Sequence, residues 1–71
     1  MDVSIYLRRE LESRGWAPSE LARRAGVTRQ YVNGLLNGST TSFRLDKARM
    51  IARALGVSMD DMAEELYGLD S

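Results

Sequence analysis

The sequence contains no cysteine and no histidine. Without cysteine there are no disulfides, and a chain of this kind fits a reducing cytoplasm. Without both residue types the usual zinc ligands and the usual nucleophile–base pairs are missing too. No glycine-rich loop of the phosphate-cradling type appears, so neither an enzyme nor a cofactor or metal site is expected. No apolar run approaches the ~18 residues that a membrane span needs. The opening residues MDVSIYLRRE lack the basic and apolar regions of a secretory signal. These absences lead to the expectation of a cytoplasmic protein with no membrane partner. No internal repeat or low-complexity segment is present.

Net charge is also missing: ten Lys and Arg balance ten Asp and Glu. A zero balance argues against a nucleic-acid partner until its distribution is read. Residues 1–57 carry all ten cations against Asp2, Glu10, Glu12, Glu20 and Asp46, a local balance of +5. Residues 58–71 carry Asp60, Asp61, Glu64, Glu65 and Asp70, a local balance of −5. The molecule is polar end to end, with separate basic and acidic faces. At 71 residues it is one domain that buries only ~60–65% of its unfolded surface, so its core is small.

The most informative stretch is PSELARRAGVTRQYVNGLLN, residues 18–37. Leu21, Ala22 and Ala25 form an apolar stripe of helical spacing. Gly26 ends it, since glycine takes a left-handed conformation at little cost. Thr28 is suited to cap a second helix, whose inward residues are Val32, Leu35 and Leu36. Two short apolar stripes joined by so tight a turn describe a helix-turn-helix. On the second helix, 100° per residue leaves Arg29, Gln30, Asn33, Gly34 and Asn37 facing outward. Arg, Gln and Asn are the side chains that pair bidentately with guanine or adenine edges in a major groove. Between Glu20 and Asp46 there is no acid, so nothing there repels phosphate. Gly34 costs ~1 kcal/mol inside a helix, which close approach to DNA or to a neighbouring helix would explain.

At Leu21-Ala22, Gly26-Val27, Val32 and Leu35 the sequence resembles the phage repressor/Cro-type (lambda-repressor-like) helix-turn-helix family. The resemblance continues through Ala52-Arg53-Ala54-Leu55-Gly56-Val57-Ser58 and covers roughly residues 4 to 66. It implies an all-α fold, a compact five-helix domain over residues 1–71. Helices two and three would make the helix-turn-helix, and 58–71 an acidic last helix and short tail. It also implies double-stranded DNA as partner, a homodimer on a palindromic operator, and a transcriptional regulator, a repressor before an activator. The docking geometry is the one described for repressors of this family: the third helix in the major groove, the second across the backbone.

Two departures stand out. The family commonly has an arginine and a glutamate, paired between helices one and three, where this chain has Leu11 and Leu36. A matched apolar replacement of a buried ion pair is often neutral or stabilising, so the two leucines are expected to touch. The family's phosphate-gripping glutamine is replaced by Pro18, with Ser19 and Arg23 the nearest substitutes.

Taken in order, helix one runs from Val3 to Arg14 along Val3, Leu7 and Leu11, with Arg8, Arg9 and Arg14 outward. Pro18 opens helix two, where Trp16 staples onto Leu21 and Glu20 can return to cap it. Helix three spans Arg29 to Leu36. Helix four runs from Phe43 or Leu45 to Leu55, with Leu45, Ala48, Ile51, Ala52 and Leu55 buried. Ser58 starts helix five, and Met59, Met62, Ala63 and Leu66 point inward.

The base-reading candidates are therefore Arg29, Gln30, Asn33 and Gly34. Candidates for the DNA backbone are Ser19, Arg23, Thr28, Tyr31, Asn37, Ser39, Thr40, Thr41, Arg44 and Lys47. Any dimer would use the domain itself, around Gly56–Ser58 and helix five. The competing reading is a protein-interaction or antitoxin-like module whose partner meets the acidic helix five, because fold alone does not fix function.

Overall fold

The computed structural model describes residues 2–39 and 43–68. Five helices follow one another: α1 Val3–Arg14, α2 Pro18–Ala25, α3 Arg29–Asn37, α4 Leu45–Leu55 and α5 Met59–Tyr67, with no strand among the described residues.

Local chemistry sets the starts. Asp2, Thr28 and Ser58 each accept a hydrogen bond from a first-turn amide, those of Ser4, Tyr31 and Asp61, at 2.9–3.0 Å. Helix α2 has no side-chain cap at Ala17 but begins on Pro18, whose missing N–H would have been unsatisfied anyway. Each helix ends on a glycine with positive φ. At Gly26, φ is 75° and the following Val27 amide returns to the Ala22 carbonyl at 3.1 Å. This backbone closure lets α3 leave within three residues of α2.

The core draws on all five helices. Tyr6, Leu7 and Leu11 meet Leu21, Ala22 and Ala25, then Val32 and Leu35, then Ala48, Ile51, Ala52 and Leu55, and finally Met62 and Leu66. No charged or polar side chain is buried among the described residues. Helix α3 packs on α1 and α2, α4 on α2, and α5 on α4 and α1. Helix α3 is thus pinned on its inner side by two helices while its other side faces out.

Four details differ from the sequence reading. Leu45, expected in the buried stripe of α4, is 69% exposed; it sits in the first turn, on the rim of an apolar groove that it shares with Phe43 and with Met62 and Tyr67 of α5. Leu36 is only partly buried, though packed against the core. Its carbonyl accepts from the Arg8 guanidinium at 2.8 Å, so α1 and α3 meet at this position by a hydrogen bond as well as by packing. Arg14, expected to face outward, is a strut: it donates to the Leu55 carbonyl at 2.6 Å and pairs with Glu10. Glu20 does not fold back to cap α2 but pairs with Arg23 and Arg24.

Exposure then ranks the leucines. Leu35→Ala, at a site with no exposure, should cost ~2–5 kcal/mol. Leu36→Ala should cost less, and Leu45→Ala should stay within ~0.5 kcal/mol of the parent. Urea unfolding followed by circular dichroism checks the order; equal losses at Leu35 and Leu45 would contradict this packing.

Candidate nucleic-acid interface

Helix α3 has nine residues and is about 14 Å long; its diameter with side chains, about 10–12 Å, matches a major groove ~12 Å wide. Its first turn is fixed by the Thr28 hydroxyl accepting from the Tyr31 amide at 3.0 Å. That bond uses the oxygen as acceptor and leaves the Thr28 O–H free to donate to an anion.

Arg29, Gln30, Asn33, Gly34, Asn37 and Ser39 line one open recess along α3. All four base-reading candidates are in it, together with two of the backbone candidates, and no acid is. Arg29, Gln30 and Asn33 are exposed. Among the described residues the Arg29 guanidinium has no ion pair. Gly34 corrects the sequence reading in one respect: it is buried, not outward-facing. It lies at the edge of the outward arc and, having no side chain, forms the floor between its neighbours. Asn37 Oδ1 accepts from the Ser39 amide at 2.9 Å, which shapes the chain as it leaves the helix and leaves the Asn37 NH₂ outward.

The flanks differ in readiness. Ser19 is exposed on the first turn of α2. Arg23 is 70% exposed yet paired with Glu20, which also holds Arg24. The Glu20 carboxyl is accordingly held below its ordinary value, first by the hydrogen bond from Arg24 and then by the nearby charge of both arginines. On the other side Arg44 is exposed, 3.8 Å from Asp46. Lys47 stands over the Tyr31 ring at 5.8 Å. The Tyr31 hydroxyl oxygen is buried without a hydrogen-bond partner, and burial raises its pKa. The ring therefore braces Lys47 and turns its hydroxyl inward, not toward a backbone phosphate. Thr40 and Thr41 lie outside the described residues.

Several residues that shape this face are not evident from spacing. Arg8 anchors the C-terminal end of α3 through the Leu36 carbonyl, a contact across 28 positions. Trp16, expected as a staple, packs against the core and lies under two guanidiniums, Arg24 at 4.5 Å and Arg14 at 5.7 Å from its centroid. It is a cation–π platform inside the fold. The Glu20 pairing, by contrast, was available from its i+3 and i+4 spacing to Arg23 and Arg24.

No group of His, Cys, Asp and Glu among the described residues is placed to hold a metal ion. No helix there is long and apolar enough to cross a membrane. A family model described as helix-turn-helix matches residues 7–62. Comparison with curated proteins and with solved structures found no match.

The Glu20 pairing has a pH signature. A carboxyl whose folded pKa is depressed contributes stability above its unfolded value, and that contribution is lost as pH falls through the folded pKa. Carboxyl NMR titration should place Glu20 below its ordinary 4.5. Arg24→Gln should move it upward, by more than Arg23→Gln does. A Glu20 that titrates at 4.5 in the parent would show that the pairing does not persist in solution.

Proposed function

The chain belongs to the helix-turn-helix family of DNA-binding proteins, and from that membership and the recess along α3 we propose that it is a sequence-specific transcriptional regulator. In this reading α3 enters the major groove of duplex DNA. Arg29 and Gln30, on its first turn, and Asn33, one turn on, read base edges. The buried Gly34, with no side chain, leaves the floor of the recess open between them. Ser19, Thr28, Asn37, Ser39, Arg44 and Lys47 hold phosphates and set register, with Thr40 and Thr41 the further candidates of the same loop. Arg23 joins them when it exchanges Glu20 for a phosphate. The observation that carries the reading is the convergence of Arg29, Gln30, Asn33 and Asn37 on one acid-free recess.

Two such domains bound as a homodimer would read a palindrome with half-sites about one helical turn apart. A compact domain seated on its operator excludes other proteins from it, which favours repression over activation. The protein's work is then placed in the compartment that holds the DNA. The competing protein-docking reading has no use for an exposed Arg-Gln-Asn set on one helix.

Selection of bound duplexes from a random pool would supply the site, and variants then separate reading from holding. Arg29→Ala or Gln30→Ala should cost ~1–3 kcal/mol on the preferred site and relax preference at one base pair. Arg44→Ala should weaken all sequences about equally. Unchanged base preference in folded Arg29→Ala and Gln30→Ala proteins would refute readout by α3.

Salt gives an independent test. With about six phosphate contacts per dimer, log affinity against log salt should fall with a slope near −5. Glu20→Gln, which releases Arg23, should tighten binding to all sequences and steepen that slope. A specific complex indifferent to salt would contradict the phosphate assignments.

A further inference from the structure

Helices α2 and α4 leave an open recess of about 670 Å³ between them, and no residue of α3 lines it. Its floor is apolar. Ala25 and Ala52 are buried there, while Met50, Val57 and Met59 are half-buried. Met50 crosses from α4 to α2: its methyl lies 3.6 Å from the place a Cβ on Gly26 would take. Four exposed arginines line the same recess, Arg23 and Arg24 on α2 and Arg49 and Arg53 on α4. Glu20 divides one negative charge between the α2 pair. Arg49 and Arg53, one turn apart, have no ion pair among the described residues. Asp46 is the one acid that lines the recess, and it lies 3.8 Å from Arg44. The recess therefore keeps a positive rim over a partly uncovered apolar floor.

That combination selects the chemistry of its occupant. A phosphate backbone would answer the arginines but leave Met50, Val57 and Met59 in water. Neither a hydroxyl nor an aromatic ring lines the recess to hold sugars or bases. An uncharged apolar segment would cover the floor while desolvating guanidiniums without partners. A segment with one apolar stripe and carboxylates on both sides of it satisfies floor and rim together. A cleft between two helices takes such a segment as an amphipathic helix, apolar face down, and methionines adapt to the side chains they meet. We propose that the recess between α2 and α4 docks an acidic amphipathic helix of another protein, its apolar stripe on Met50, Val57 and Met59 and its carboxylates on the arginines of α2 and α4. The inference goes beyond DNA binding and does not depend on it, and the partner is opposite in charge to one that would meet acidic α5. Arg23 is the only residue shared with those assigned to DNA, so a docked partner is carried to the duplex that α3 holds. Exposed ion pairs contribute little individually and are screened by salt, so docking is reversible and strongest at low ionic strength.

The test uses the whole chain and a labelled helix-forming peptide of leucine and glutamate, its leucines in one stripe at i, i+3, i+4 and i+7. One control peptide has glutamine for glutamate, and a second has the same composition with the stripe scrambled. In fluorescence anisotropy at low salt the striped acidic peptide should bind at least ~tenfold more tightly than either control, and less tightly as salt rises. R49E/R53E, shown to be folded by circular dichroism, should lose roughly tenfold or more of that affinity and keep the parent's base preference on duplex DNA. Amide NMR changes on adding the peptide should fall on residues 23–26 and 46–59. A parent that binds no peptide, or binds all three alike, overturns the proposal. So does undiminished binding by R49E/R53E, or amide changes centred on 29–37, which would make the peptide a stand-in for DNA. Inorganic polyphosphate that binds the recess as tightly as the peptide would give the site to phosphate chemistry instead. Peptide binding that disappears as the protein self-associates at higher concentration would give it to a second copy of this chain. Base preference is read through α3 and measured separately, so failure here leaves the DNA reading standing, and the reverse also holds.

Discussion

Between Ala22 and Val32 the chain reverses within a handful of residues while keeping two apolar stripes in contact, and that constraint rests on the left-handed turn at Gly26. A side chain there would meet only the Met50 methyl at 3.6 Å, an ordinary contact. Space is therefore not what demands glycine. The demand is conformational: a φ of 75° is strained for any residue with a Cβ. From this turn follows the position of Thr28, from Thr28 the first turn of α3, and from that turn the direction of Arg29 and Gln30. A distortion of the turn would misplace Arg29 and Gln30 without touching either of them.

The fold supports α3 from below with apolar packing and at its far end with one long-range hydrogen bond, Arg8 to the Leu36 carbonyl. Leu11 of α1 is buried in the core and Leu36 of α3 is partly buried against that core. The chain thereby avoids the desolvation cost of an ion pair between these helices yet keeps a directional contact at the same junction. Charge is handled differently on the two faces. Acids neutralise arginines along α1 and α2, whereas the recess of α3 carries a free Arg29 and no acid. A molecule with zero net charge can still present a local field suited to phosphate, because that field depends on what lies within about a Debye length.

Helix number and order, and most helix ends, were legible in the sequence because those boundaries have a local cause; the start of α4 has no side-chain cap at Arg44, and the sequence leaves it between Phe43 and Leu45. Gly26 and Gly56 stop helices, and Thr28 and Ser58 start them. The recess on α3 was legible too, since an angle of 100° per residue places Arg29, Gln30, Asn33 and Asn37 on one side. What that angle does not carry is axial position and reach. Leu45 has the right angle for the core of α4 but lies in its first turn, on the rim of an open groove against α5. Arg14 has an outward angle, yet its side chain is long enough to meet a carbonyl on α4 at 2.6 Å. Gly34 lies at the edge of the outward arc, where the absence of a side chain decides burial. Tyr31 is similar: its place on the helix suggested a contact with DNA, and only the tertiary packing shows its hydroxyl turned inward.

The central claim is that the recess along α3 is the surface that meets duplex DNA. The most direct measurement is an amide NMR titration with a duplex recovered from a random pool. The account predicts that the largest changes fall on residues 28–39, with smaller ones around Ser19, Arg44 and Lys47, and that Glu64 and Glu65 on α5 respond least. Changes concentrated on α5 or on the Arg49–Arg53 recess, with 29–37 undisturbed, would contradict it.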